Sequence, residues 1–227
     1  MSIRIALAAV LATAAGITCA ATPRPFTAHY QVLRSGNPLG HAEIRLRHDG
    51  EDWVLITHTS ADKGLGGLLG LDIKESSRFR IEGLRTRLLS YRYFLDAGFR
   101  KRQRKVDVDW ASGRVRVSSG KSHYSYAAVP GLVDRHLLPL VLGDFLARGA
   151  LDASFPVAVK DRVESQHYRS TGTMKVQVPI GTLDTVRVTR SDDDKAFTAW
   201  YAPDRYVMPV KLMHGEYILL LQSWTSP

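Results

Sequence analysis

Apolar and polar positions alternate with a period of two along much of this chain. Phe26, Ala28, Tyr30 and Val32 fall on one side of an extended run, and Thr27, His29 and Gln31 on the other. Ala42, Ile44 and Leu46 alternate with Glu43, Arg45 and Arg47, and Val115 and Val117 with Arg114 and Arg116. Met174, Val176, Val178 and Ile180 alternate with Lys175 and Gln177. Successive side chains of a strand point to opposite faces, so each run predicts a half-buried strand. Turn-forming residues stand between them: Ser35-Gly36-Asn37-Pro38, Asp49-Gly50, Ser112-Gly113, Pro179-Ile180-Gly181 and His214-Gly215. Their spacing predicts an antiparallel meander of about ten strands.

One segment breaks the pattern. In "LVDRHLLPLVLGDFLARG", Leu137, Leu138, Val141, Leu142, Phe145 and Leu146 follow helical spacing. Asp134 is placed to cap the start and Gly149 to close the end. Pro139 fits only near the first turn, because deeper in a helix it removes a backbone hydrogen bond. The spacing predicts one helix over 136–148. A lone apolar helix needs a sheet to cover it, so the expected fold is mainly β, a strongly curved antiparallel sheet around one helix. The connection "ADKGLGGLLGLD", residues 61 to 72, mixes Leu65, Leu68, Leu69 and Leu71 with four glycines. It reads as a wide hairpin folded back on the core, or as an apolar flap over a cavity mouth.

The first residues follow another logic. Arg4 precedes an uncharged apolar run from Ile5 to Ile17, and small residues from Thr18 to Ala21 precede Pro23. This is the layout of a secretory signal peptide, cleaved after Ala20 or Ala21. The run is short of the roughly 20 residues that a membrane span needs. Cys19, the one cysteine, matches a lipoprotein acylation site poorly, since Gly16 and Thr18 stand at the wrong positions. The expected mature chain is a single domain over 22–227 without a thiol, exported to the periplasm. Its expected partners are an anionic lipid or glycolipid, or another envelope protein. It is not an integral membrane protein on this reading. The formal net charge of +9 favours anionic partners, and export removes nucleic acid from among them.

Motifs for catalysis are missing. The chain has no Gly-x-Ser-x-Gly elbow, no His-Glu-x-x-His and no phosphate-binding glycine loop. The eight histidines are scattered without metal-ligand spacing, so neither a metal nor another cofactor is called for. Asp192, Asp193 and Asp194 lie together between two strand patterns and read as a hairpin tip.

The charged run "FRKRQRK", residues 99 to 105, carries five cations. Read on through "VDVDW", it puts Arg100, Arg102, Arg104, Val106, Val108 and Trp110 on one strand face. Because that face turns apolar at Val106, it is expected to be the inner one. Guanidinium groups there grip a phosphate or carboxylate while their stems stay on the apolar wall. The plainer reading is a charged edge strand. The ligand-binding candidates are therefore Arg100, Arg102, Arg104 and Trp110, with Leu68 and Leu69 from the flap.

The chain ends carry a resemblance. Phe26, Ala28 and Tyr30, then Gly40, then Pro179, Gly181 and Thr182, and finally Trp200, Ala202, Asp204, Pro209 and Val210 are similar to motifs of the bacterial domain of unknown function family 3108 (DUF3108). The resemblance spans nearly all of the expected mature chain. It implies an exported envelope protein with an antiparallel β fold, akin to the spiral β-roll or half-barrel of lipoprotein carriers, and it brings no catalytic motif. The resulting expectation is a non-enzymatic envelope protein that binds an anionic amphiphile in its concave face. The alternatives are an assembly partner of an envelope complex with no small ligand, and a hydrolase without a recognisable motif.

Overall fold

A computed structural model describes residues 23–62, 70–98, 100–149, 152–193 and 197–227. The alternating runs become strands: β1 (Phe26–Arg34), β2 (Asn37–Asp49), β3 (Asp52–Ala61), β4 (Leu71–Glu82), β5 (Arg85–Ala97), β6 (Lys101–Asp109), β7 (Arg114–Ser119) and β8 (Ser122–Ala127) form a continuous meander. After β9 (Val133–Asp134) and α1 (Leu138–Ala147), a second meander runs through β10 (Asp152–Ala158), β11 (Val163–Val178), β12 (Gly181–Arg190), β13 (Phe197–Tyr201), β14 (Lys211–His214) and β15 (Tyr217–Thr225). All join one sheet, in the order 8-7-6-5-4-3-2-1-15-14-13-12-11-10-9. Its strand count among the described residues is fifteen, more than the ten that alternation suggested. The excess has two sources. β9 and β14 are too short to show a period, and β4 carries Glu75 and Ser77 on its inner face.

The first and last strands meet at the middle of the sheet, where β1 pairs with both β2 and β15. Twist and register shifts at His29/Tyr30 and Arg78/Phe79 bend the strands, as extra residues in a ladder do. The sheet curls far enough for its terminal strand to enter the curl. β9 lies against β5, and Val133 and Asp134 are buried. The Tyr126 hydroxyl donates to the Val159 carbonyl at 2.9 Å, tying the other end of the sheet to the β10–β11 connection.

α1 follows β9 into this curl and leads to β10, which runs parallel to β9. Leu137, Leu138, Leu140, Leu142 and Leu146 are buried, each worth roughly 1.5–3 kcal/mol of burial. The helix starts two residues later than its apolar spacing suggests. Asp134 does anchor the start, but it accepts from the backbone N–H of His136 and Leu137, at 2.8 Å each, one turn ahead of the helix. Pro139 sits in the first turn, and Gly149, at φ +78°, ends the helix with its N–H on the Leu146 carbonyl. Gly143 is forced by closeness: a Cβ there would lie 1.7 Å from the Val207 carbonyl oxygen.

The quoted sequence motifs acquire physical reasons. Tyr30 is buried and donates to the Pro209 carbonyl at 2.9 Å, locking β1 to the segment before β14. Gly40 passes so near β3 that a Cβ would fall 2.0 Å from the Ser60 carbonyl oxygen. Trp200 is buried beneath Lys211 and donates to Met174. At the hairpin tip after β12, Asp192 pairs with Arg190 at 2.9 Å and accepts from the His167 N–H. These contacts pull its carboxyl down to about 2. The tip is thus anchored, and Asp194 lies outside the described residues.

Candidate functional site

The concave face encloses a cavity of about 630 Å³ beside the N-terminal end of α1. The strand register sorts its wall into transverse rows, because directly paired residues share a face. At the end next to the β3–β4 connection are Gly40, Ala61, Leu71 and Ala97, with Arg100 hydrogen-bonded through its carbonyl to the Ala97 N–H. The next row inward is Ala42, Thr59, Ile73, Leu95 and Arg102. Then follow Ile44, Thr57, Glu75, Tyr93 and Arg104, and below them Leu46, Leu55, Ser77, Tyr91 and Val106. Val32, Leu39, Met208, Leu212 and Leu219 complete the apolar wall, and Arg135, His136 and Pro139 close it from the β9–α1 side.

The inward parity expected for the arginine strand is present in this register. Arg102 stands opposite Leu95, Arg104 opposite Tyr93 and Val106 opposite Tyr91. Arg100 is on the cavity wall. Arg102 and Arg104 share its face but lie outside the wall itself. Arg104 acts electrostatically on the phenols of Tyr91, Tyr93 and Tyr126, opposing the rise that burial gives each. Lys101 points the other way and pairs with Asp96 at 2.9 Å. Trp110 does not line the cavity. It follows the last residue of β6, at the opposite end from Arg100; its indole donates to the Leu88 carbonyl at 2.8 Å, and Arg87 covers the ring. Leu68 and Leu69 lie outside the described residues, as do residues 1–22 with Cys19.

The deepest part of the cavity is polar. His136 is held between Thr57 Oγ1 and Ser77 Oγ, each at 2.8 Å, and Ser77 donates to Asp134 Oδ1 at 3.0 Å. The directions follow from the donor count. Ser77 has one hydrogen, and Asp134 accepts it, so His136 donates from Nδ1 to Ser77, and its Nε2 is left to meet the Thr57 hydroxyl. Both ring nitrogens are thereby consumed. The network pins the β9–α1 turn onto β3 and β4, which gives His136 a structural task.

Asp134 is fully enclosed, and its Oδ2 has no hydrogen-bond partner among the described residues. Burial pushes its carboxyl up to about 6, although His136, Ser77 and the backbone N–H of Leu137 pull the other way. Glu75, on the cavity wall, accepts from Tyr91 at 2.6 Å. Burial and this carboxylate hold the Tyr91 phenol far above the usual range.

Sequence reading missed Thr57, Glu75, Tyr93, Arg135 and His136. A signal existed for two of them. Leu71, Ile73, Glu75, Ser77, Phe79 and Ile81 form one strand face, apolar except at its centre. Trp53, Leu55, Thr57, Thr59 and Ala61 repeat the interruption. Polar residues inside an apolar face mark a place where the core is not dry. Among the described residues, no group of three or more His, Cys, Asp or Glu is arranged to hold a metal ion. No helix there is long and apolar enough to cross a membrane.

The architecture has a solved counterpart. The crystal structure of a beta-barrel-like protein of the domain of unknown function DUF1849 from Brucella abortus superposes with a TM-score of 0.56 at 11% identity. The match covers 90% of this chain and 98% of that one. At this identity it shows a shared fold alone. No curated protein matches the chain. The sequence profile of the protein family of unknown function DUF3108 matches residues 25–214, from the start of β1 to the end of β14. The chain therefore belongs to the DUF3108 family.

Proposed function

We propose that this is a non-enzymatic protein of the bacterial periplasm that binds an anionic amphiphile, a lipid or glycolipid, in its concave face. The observation that carries the reading is the cavity: about 630 Å³, walled by aliphatic side chains from both meanders, with Arg100 on its wall. That volume is within the range of small-molecule sites, which are mostly apolar with few polar groups. Each buried methylene contributes roughly 0.8 kcal/mol, so a chain of several carbons supplies useful affinity without close shape matching. Arg100 supplies a planar cation for a carboxylate or phosphate. Location in the envelope rests on the signal-like leader.

The test is mass spectrometry of lipid extracted from protein purified out of the envelope fraction, paired with displacement of a fluorescent fatty acid. Co-purifying amphiphile and saturable displacement are expected. Lipid-free protein that ignores the fluorescent probe would sink the proposal, and a stoichiometric protein partner in crosslinked envelopes would replace it with the assembly role.

A further inference from the structure

The cavity is polar around Glu75 and mostly apolar between there and Arg100, an uneven wall for a ligand with a plain methyl end. The polar row contains Thr57, Glu75 and Tyr93. The next rows toward Arg100 present Thr59, Ile73 and Leu95, then Leu71 and Ala97. Glu75 and Leu71 are four residues apart, so the carboxylate lies about 13 Å from the Leu71–Ala97 row at roughly 3.3 Å per residue.

Not every floor group is available to a ligand. The Thr57 hydroxyl is engaged with His136, and both imidazole nitrogens of His136 are taken. Glu75 differs. Its Oε1 accepts from Tyr91, and it forms no ion pair among the described residues. A carboxylate has lone pairs for about four hydrogen bonds and cannot donate any. Half-buried beneath an aliphatic wall, it repels a phosphate or carboxylate and gains nothing from a methyl group. It is suited to hydroxyl or ammonium donors. Of the cationic groups, Arg100 is on the cavity wall beside the Leu71–Ala97 row and Arg135 on the β9–α1 side, whereas Arg104 shares the Glu75 row but lies outside the wall.

From this arrangement we infer that the cavity takes its ligand with a donor-bearing end deepest. A hydroxyl or amine seats on Glu75, an aliphatic stretch spans the Ile73–Leu95 belt, and the anionic group stays at Arg100. The ligand class is an amphiphile polar at both ends, a donor at one and an anion at the other. This inference rests on the binding role proposed above and fixes the orientation within it.

Three probes separate the two claims: dodecanoate, ω-hydroxydodecanoate and ω-aminododecanoate, titrated calorimetrically into the full mature protein. The ω-hydroxy and ω-amino probes are expected to bind about tenfold tighter than dodecanoate, the size of one hydrogen bond to a charged acceptor. Glu75→Gln is near-isosteric and still accepts from Tyr91. It should remove most of the ω-amino preference while leaving dodecanoate affinity within about twofold, because the dodecanoate methyl end makes no polar contact there. Arg100→Gln should weaken all three probes alike. If dodecanoate binds as well as its ω-substituted relatives, the donor-first orientation is wrong and the binding role stands. If none of the three binds to the wild-type protein, the cavity role itself fails. The wild-type comparison needs no variant to fold.

Discussion

Asp134 makes the stability of this protein depend on pH in an uncommon direction. Its carboxyl is buried, with Oδ1 accepting from two backbone N–H groups and Ser77 while Oδ2 meets no partner among the described residues. Folding raises its pKa from 3.8 to about 6. The folded state thus binds the proton more tightly than the unfolded chain. The stabilisation is complete below about pH 4 and is lost as pH rises through about 6. At about 1.36 kcal/mol per pKa unit, the full swing is about 3 kcal/mol. Most native carboxylates act oppositely. Asp192, held down to about 2 by Arg190, contributes stability that is lost as pH falls toward 2. The total profile mixes both, so the difference from Asp134→Asn is the informative quantity. Asparagine keeps an acceptor for the two N–H groups and Ser77 but does not titrate.

Urea unfolding of both proteins between pH 4 and pH 7 supplies the comparison. The wild type should lose about 3 kcal/mol relative to Asp134→Asn across the window, chiefly between pH 4 and 6. His136 shares the network, so the pair is repeated on a His136→Gln background, where the loss should persist. A difference that stays flat with pH would refute the claim that Asp134 is held in a desolvated, ionisable state.

Other expectations follow from single contacts. Gly143→Ala places a methyl against the Val207 carbonyl oxygen and the Tyr201 ring; thermal unfolding should show a loss of about 1–3 kcal/mol, the usual range for overpacking. Tyr30→Phe leaves the buried Pro209 carbonyl without its donor, and equilibrium unfolding should register about 1–3 kcal/mol of destabilisation. Arg100→Gln should weaken binding of dodecanoate, while the Lys101→Gln/Lys105→Gln double variant nearly keeps it, because Lys101 faces away and pairs with Asp96; equal small losses in a fluorescence titration would show that the run is only a charged arm.

What was legible in the sequence was the part governed by single-residue periodicity. The faces of β1, β2, β7 and the end of β11 follow from alternation alone, and so does the inward turn of Arg100, Arg102 and Arg104. Parity along an extended strand needs no knowledge of partners. The helix was legible from its leucine spacing, with Pro139 marking the first turn. Its first residue was not, because Asp134 spends its capping oxygen on the turn before the helix. Trp110 was assigned to the ligand by parity alone; it packs against the core, but at the opposite end of the strand from the cavity wall at Arg100. The hidden site residues share one trait. Thr57, Glu75 and His136 acquire meaning from register across β3, β4 and the returning β9, a relation between segments 79 residues apart in the case of Thr57 and His136.

The same contrast explains why the cavity sits where it does. In most of the curl the inner rows are aliphatic and aromatic, and they close on α1 and on β9. The rows at Thr57–Glu75 and Leu55–Ser77 cannot close in that way, because a hydroxyl or carboxylate buried without a partner loses free energy comparable to a hydrogen bond. The chain meets this constraint on one side with His136 and Asp134, which occupy Thr57 and Ser77. On the other side Glu75 has Tyr91 as its one hydrogen-bond partner among the described residues, and the cavity wall continues from it to Arg100. Replacing Glu75 with leucine should therefore change the protein itself as well as its ligand. An apolar side chain there lets the belt of Ile73 and Leu95 continue to the floor, raising stability while erasing any preference for a donor-bearing end. Leucine also deprives the Tyr91 hydroxyl of its acceptor, so the gain should be realised fully only with Tyr91→Phe beside it. A double variant more stable than wild type, yet indifferent to the ω-substituent in calorimetric titration, is the expected outcome. A double variant less stable than wild type would mean that the Glu75–Tyr91 pair is kept for the fold, and that the polar floor is not a site.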